Sequence, residues 1–132
     1  MTRRQLVISR ILAVVYLIAV AWLCFGRFDS TRDVPMDLWG IPTDKIVHFL
    51  MFLPFPFLAY FAFDRFTEKV WTSILWTTVS FLVGGAFAAG TEWVQSHLPY
   101  RTADPADFHA DLLALAAGSV IVLILDISKQ KK

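Results

Sequence analysis

Long apolar runs alternate with short polar joints along this chain, four times over. The runs cover 6–25, 46–63, 70–93 and 108–127. Each is continuous, without the period-two alternation of a half-buried strand. At a rise of 1.5 Å per residue, roughly 20 apolar residues of helix cross a hydrocarbon layer of about 30 Å. Helices also satisfy every backbone polar group within the segment, which lipid demands. The pattern therefore predicts an all-α, polytopic membrane protein: four transmembrane helices in a small bundle. The expected spans are 6–25, 45–63, 69–94 and 105–127, within one domain covering 1–132. Pro54 and Pro56 lie inside the second span and remove two backbone donors, so a kink is expected there. A discontinuous helix lining a cavity is the alternative, with no charge near that depth to favour it. In the third span, Gly84 and Gly85 with Ala86, Ala88, Ala89 and Gly90 read as a close-packing surface.

Composition sharpens this picture. Hydrophobic residues make up 57% of the 132 and charged residues 17%, against about one half and one quarter in soluble domains. Net charge is +1, and the basic residues are scattered, so no patch suits a nucleic acid. The single cysteine, Cys24, excludes an intrachain disulfide and says nothing of redox compartment. The first run begins after Arg3 and Arg4, with Arg10 early in it, and has features of a signal peptide. It is too long for one and lacks a small-x-small cleavage site, so it is expected to stay as a span, with Arg10 snorkelling outward.

Lysine and arginine set the expected orientation. One side would hold Arg3, Arg4, Arg10, Arg65, Lys69, Lys129, Lys131 and Lys132; the other would hold Arg27, Arg32, Lys45 and Arg101. Eight against four favours both termini in the cytoplasm. The acidic residues are distributed the other way, with only Asp64, Glu68 and Asp126 expected inside. The longest connection, 26–43, carries Met36, Leu38, Trp39 and Ile41 and is expected along the outer interface. The short link from Asp64 to Lys69 would make spans two and three antiparallel neighbours.

The chemistry gathers at the outer span ends. Span two opens with Asp44-Lys45-Ile46-Val47-His48, span three closes with Glu92-Trp93-Val94-Gln95, and Arg101 to Asp111 leads into span four. Asp44 and His48 are four apart and share a helical face, as Glu92 and Gln95 do. With the expected topology all three groups lie at one depth and would converge on a polar pocket. Ionisable groups at membrane depth are functional candidates by default.

These motifs resemble those of the VanZ-like family of small bacterial membrane proteins. The family pattern has Asp-Lys-x-x-His opening one span, Glu-x-x-Gln closing the next, and Arg-x-x-Asp-x-x-Asp-x-x-Ala-Asn-x-x-Gly entering the last. The resemblance runs from about Asp44 to Gly118. Asp111 stands where the family usually has asparagine, and Ala114 where it usually has glycine. The family's namesake is associated with low-level teicoplanin resistance, so the resemblance implies a bacterial inner-membrane protein of the cell envelope.

Each candidate also has a plainer account. Asp104 before Pro105 suits an N-cap, Asp107 suits the first turn of the helix dipole, and Asp44 could start span two. His48 could be an interfacial histidine that Asp44 orients. His97 and His109 fall outside the cluster by spacing. Glu92 and Asp111 resist such accounts. Glu92 opposes the dipole at a helix C-terminus and needs a partner, for which His48, Lys45 and Arg101 are candidates. Asp111 lies roughly 10 Å beyond Asp104 along the helix. It shares a face with Asp107 and with small Ala114 and Gly118, which allow close helix contact. It is expected to keep a proton or to pair with Arg101 or Lys45.

The binding set is thus Asp44, Lys45, His48, Glu92, Gln95, Arg101, Asp104, Asp107 and Asp111. Three function classes follow. The first binds or shields at the envelope, meeting a lipid-linked cell-wall precursor or the lipoglycopeptide itself. The second is a membrane-embedded hydrolase or transferase for a lipid or undecaprenyl-linked head group, with His48, Glu92, Asp107 and Asp111 as catalytic candidates and Arg101 as an anion clamp. The third, an ion or proton pathway, lacks a polar series reaching the cytoplasm. No cofactor is implied, and no zinc-specific ligand spacing is present. The envelope class is favoured; catalysis and oligomeric state stay open.

Overall fold

The computed structural model describes residues 2–25, 37–38, 41–63, 69–99 and 105–130, with the side chains of 37, 38, 41–44 and 130 left aside. The elements are α1 (Arg3–Phe25), β1 (Asp37–Leu38), β2 (Ile41–Pro42), α2 (Thr43–Phe52), α3 (Pro54–Ala62), α4 (Val70–Gln95) and α5 (Pro105–Gln130). Four segments are long and apolar enough to cross a membrane: Arg3–Phe25, Lys45–Ala62, Val70–Gln95 and Pro105–Lys129. β1 and β2 form only a two-residue antiparallel ladder, with Asp37 opposite Pro42 and Leu38 opposite Ile41. The rest of the expected interfacial loop, and most of the link after span two, lie outside the described residues.

Local chemistry sets the helix limits. Thr2 and Gln5 form a reciprocal capping box: the Thr2 amide donates to Gln5 Oε1 at 2.9 Å, and the Gln5 amide donates to Thr2 Oγ1 at 3.1 Å. The helix therefore begins ahead of the apolar run that hydropathy alone marks. Arg10 Nε donates to the Ala62 carbonyl at 3.0 Å, at the end of α3, where a cation suits both the orphan carbonyl and the dipole.

The second span breaks at Leu53, between α2 and α3, as its two prolines require. Leu53 keeps right-handed helical angles, φ −56° and ψ −40°, so the chain direction continues through the break. Tyr16 of α1 donates to the Met51 carbonyl beside it. Gly118 of α5 faces the same spot: a Cβ there would meet Pro56 Cγ at 2.9 Å and the Leu53 carbonyl at 3.0 Å. The small residue lets α5 lie directly against the break.

α5 is the central helix, packed on α2, α3 and α4. A far larger share of its residues is buried than in α1, which lies at the edge. Along α5 the buried positions are Asp107, Asp111, Ala114, Leu115, Gly118, Ser119, Val122 and Asp126, one continuous helical stripe. The core around it contains Phe52, Ala88, Ala114 and Leu115, with Phe87 set against Phe52 and Phe55 at 5.9 and 6.4 Å between ring centroids. Of the small residues expected as one surface in span three, Gly84 and Ala88 are buried. A Cβ on Gly84 would meet Leu115 Cδ2 at 2.8 Å. Ala86, Ala89 and Gly90 turn outward instead, since only one face of α4 can meet the bundle. Large apolar side chains such as Ile18, Trp71, Leu82 and Leu113 are exposed, as a lipid-facing surface requires.

Candidate functional site

Two helices distant in sequence supply the polar cluster. Lys45 and His48, three apart, share one face of α2; Asp107 and Asp111, four apart, share one face of α5. Where these faces meet, the charges interlock. Lys45 Nζ donates to Asp107 Oδ1. His48 Nδ1 lies 2.9 Å from Asp111 Oδ1, and His48 Nε2 lies 3.5 Å from Asp107 Oδ2. With Asp111 ionised, Nδ1 carries the proton of that bond. Exposure falls from 16% at Lys45 to 12% at His48, 10% at Asp107 and 0% at Asp111, so the cluster runs inward from the end of the bundle. Asp111 sits six residues past Pro105, roughly 9 Å along the helix. A carboxylate that deep is tolerated because a hydrogen-bonded partner faces it. Its second oxygen, Oδ2, is buried with no hydrogen-bond partner among the described residues.

The other sequence candidates are placed differently. Gln95 is buried and donates from Nε2 to the Cys24 carbonyl at 2.9 Å, satisfying an orphan carbonyl in the last turn of α1. Glu92 lies in a shallow groove with Ala89, Trp93, Ser96, Pro105 and Phe108, its carboxylate oxygens shielded from solvent. Arg101 and Asp104 lie outside the described residues, as does the side chain of Asp44. His97 folds back on its own helix end, Nδ1 2.8 Å from the Trp93 carbonyl, and His109 is exposed. The partner expected for Asp111 was Lys45 or Arg101; among the described residues it is His48. Same-helix spacing offers Asp44 to His48, whereas the packing of α2 on α5 brings Asp107 and Asp111.

A second polar group escaped the sequence reading. Asp126, near the opposite end of α5, accepts hydrogen bonds from Ser73 at 2.6 Å and Tyr60 at 2.9 Å. Lys129 Nζ lies 5.9 Å from the Tyr60 ring centroid. The available signal was the one used for Glu92: a carboxylate in the last turns of a helix opposes the dipole and needs donors.

Chemically, the His48 cluster joins one ammonium, one imidazole and two carboxylates, and so can donate, accept and hold a proton. A family model described as VanZ/LLP1 matches residues 13–126, which extends the likeness back into the first span. The chain is also 33% identical over 120 residues to an uncharacterized protein of Schizosaccharomyces pombe, covering 90% of this chain and 62% of that relative. It thus spans less than two thirds of the relative's length. No solved structure matches the chain.

Proposed function

This multi-pass membrane protein belongs to the VanZ/LLP1 family, and on that premise we propose that it binds the polar head group of a lipid-linked envelope component at the extracytoplasmic end of the bundle. The observation that carries the proposal is the Lys45–Asp107–His48–Asp111 chain between α2 and α5. A fully buried carboxylate with one oxygen unbonded among the described residues is costly in a merely structural contact. It suits a site that accepts hydroxyl or amide donors from a ligand. Lys45, the most exposed member, supplies a cation to the phosphate that tethers such a head group. A relative in a yeast fits a ligand shared by bacterial and eukaryotic membranes better than one confined to the bacterial wall. Handling of a teicoplanin-type glycopeptide at a bacterial inner membrane is the narrower form of the same reading.

A second reading rests on the His48–Asp111 contact. A carboxylate on Nδ1 orients an imidazole so that Nε2 can act as a general base. At 3.5 Å from Asp107, Nε2 is only weakly held there. In a hydrolase or transferase it would take the proton of water or a hydroxyl attacking the head-group ester.

Native mass spectrometry of the full chain, extracted with its own lipids, tests the binding proposal. The wild type should retain phosphate-bearing lipids that His48→Ala and Lys45→Ala release, with the folds of both variants checked by circular dichroism. Equal retention by folded wild type and variants would remove the site. Release of free head group during incubation, lost in His48→Ala, would favour the catalytic form.

A further inference from the structure

A cavity of about 230 Å³ opens between α3, α4 and α5, at the far end of the bundle from His48. Its walls are mainly apolar and partly aromatic, with Phe55, Trp76 and Val83 among them, and the α4 hydroxyls of Ser73, Thr77 and Ser80 also line it. Two polar groups of α5 reach it, Ser119 and Asp126. They are seven residues apart and share a face, roughly 10 Å from each other along the axis. Asp126 stands near the helix end and is engaged by Tyr60 and Ser73.

Ser119 lies near the middle of the span. Its side chain lines the cavity, its residue is only 6% exposed, and Oγ has no hydrogen-bond partner among the described residues. A serine within a helix commonly bonds the carbonyl four residues back; this one does not. A hydroxyl left unbonded at mid-membrane depth is costly; Oγ itself is turned away from the cavity space, and rotation about χ1 to another staggered position would bring it to a ligand hydroxyl.

We propose that this cavity binds a neutral lipid bearing a free hydroxyl, of the long-chain alcohol or diacylglycerol class, with that hydroxyl paired to Ser119 Oγ. The hydrocarbon body lies along Phe55, Trp76 and Val83. The charge pattern selects against other lipids. A phosphate would meet the Asp126 carboxylate on the cavity wall, and any formal charge would be expensive at the depth of Ser119. A hydroxyl brings both a donor and an acceptor without a charge. This site is separate from the His48 cluster and does not depend on what that cluster binds.

Two photoreactive probes test the proposal on the full chain in phosphatidylcholine nanodiscs: a diazirine-bearing long-chain alcohol and the alkane of the same length. Crosslinks are mapped by peptide and referred to those on the lipid-facing side of α1, which corrects for partition into the bilayer. In the wild type the alcohol should label the walls of α3, α4 and α5 roughly tenfold more than the alkane, the discrimination one hydrogen bond provides. In Ser119→Ala that ratio should fall towards one with no loss of thermal stability. Ala59→Leu, which narrows the cavity, should lower labelling by both probes. Equal labelling by alcohol and alkane in the wild type, or crosslinks spread evenly over all lipid-facing helices, would mean ordinary bilayer contact and overturn the proposal. So would an unchanged ratio in Ser119→Ala.

Discussion

His48 takes its partners from another helix, and that shapes what substitutions should do. Asp111 accepts from Nδ1 at 2.9 Å with no exposure of its own. Asp111→Asn keeps an acceptor oxygen at this position and restores the residue usual in the family, so unfolding in detergent should be little changed. Asp111→Leu fills the space but strands the imidazole, and should destabilise by about 1–3 kcal/mol. If leucine is tolerated as well as asparagine in a thermal melt, the buried pair is not a working contact. At this scale the sequence offers candidate residue types, but not who meets whom. Spacing within one helix can show that Asp44 and His48 share a face. It cannot show that α2 lies on α5, which is what gives His48 two carboxylates. Asp126 shows the same limit: its donors Ser73 and Tyr60 come from other helices, which no spacing within α5 can reveal.

The helices and their weak points were more legible. Continuous apolar runs of spanning length leave little choice but helix, and Pro54 and Pro56 mark the break in the second span. The Thr2–Gln5 capping box went unread because hydropathy locates membrane entry rather than helix start. The small face of Ala114 and Gly118 was visible as a packing surface, though its partner was not. That partner is the break itself, where Gly118 leaves no room for a methyl group. Gly118→Ala should push α5 away from Leu53 and Pro56 and destabilise the bundle by about 1–3 kcal/mol, read as a lowered midpoint in detergent. Gly90→Ala is the control: a Cβ there meets nothing within 4 Å, and a normal helix former replaces glycine. It should be neutral or slightly stabilising. Equal losses in both variants would mean that the contact at Gly118 is not what sets the cost.

At the scale of the whole molecule, the buried polar groups of α5 fall into two sets, Asp107 with Asp111 and Ser119 with Asp126, and an apolar layer parts them. Asp111 and Ser119 are eight residues apart, roughly 12 Å along the axis. Phe52 and Leu115, both fully buried, fill the space between with Phe55 and Phe87. Such a layer interrupts any chain of hydrogen bonds, so the reconstituted protein should add no proton leak to vesicles loaded with a pH dye. A leak above that of protein-free vesicles would bring the pathway reading back. The alternating spans put Ser96 at the His48 end and Lys69 at the opposite end, both exposed. The eight-to-four distribution of lysine and arginine leads us to expect the first end outside. Thiol labelling of intact cells with a membrane-impermeant reagent, comparing Ser96→Cys with Lys69→Cys, tests that assignment directly. The buried native Cys24 gives little background. Ser96→Cys should be labelled in intact cells and Lys69→Cys only after lysis; labelling of Lys69→Cys from outside, with Ser96→Cys protected, would contradict a head-group site on the extracytoplasmic face.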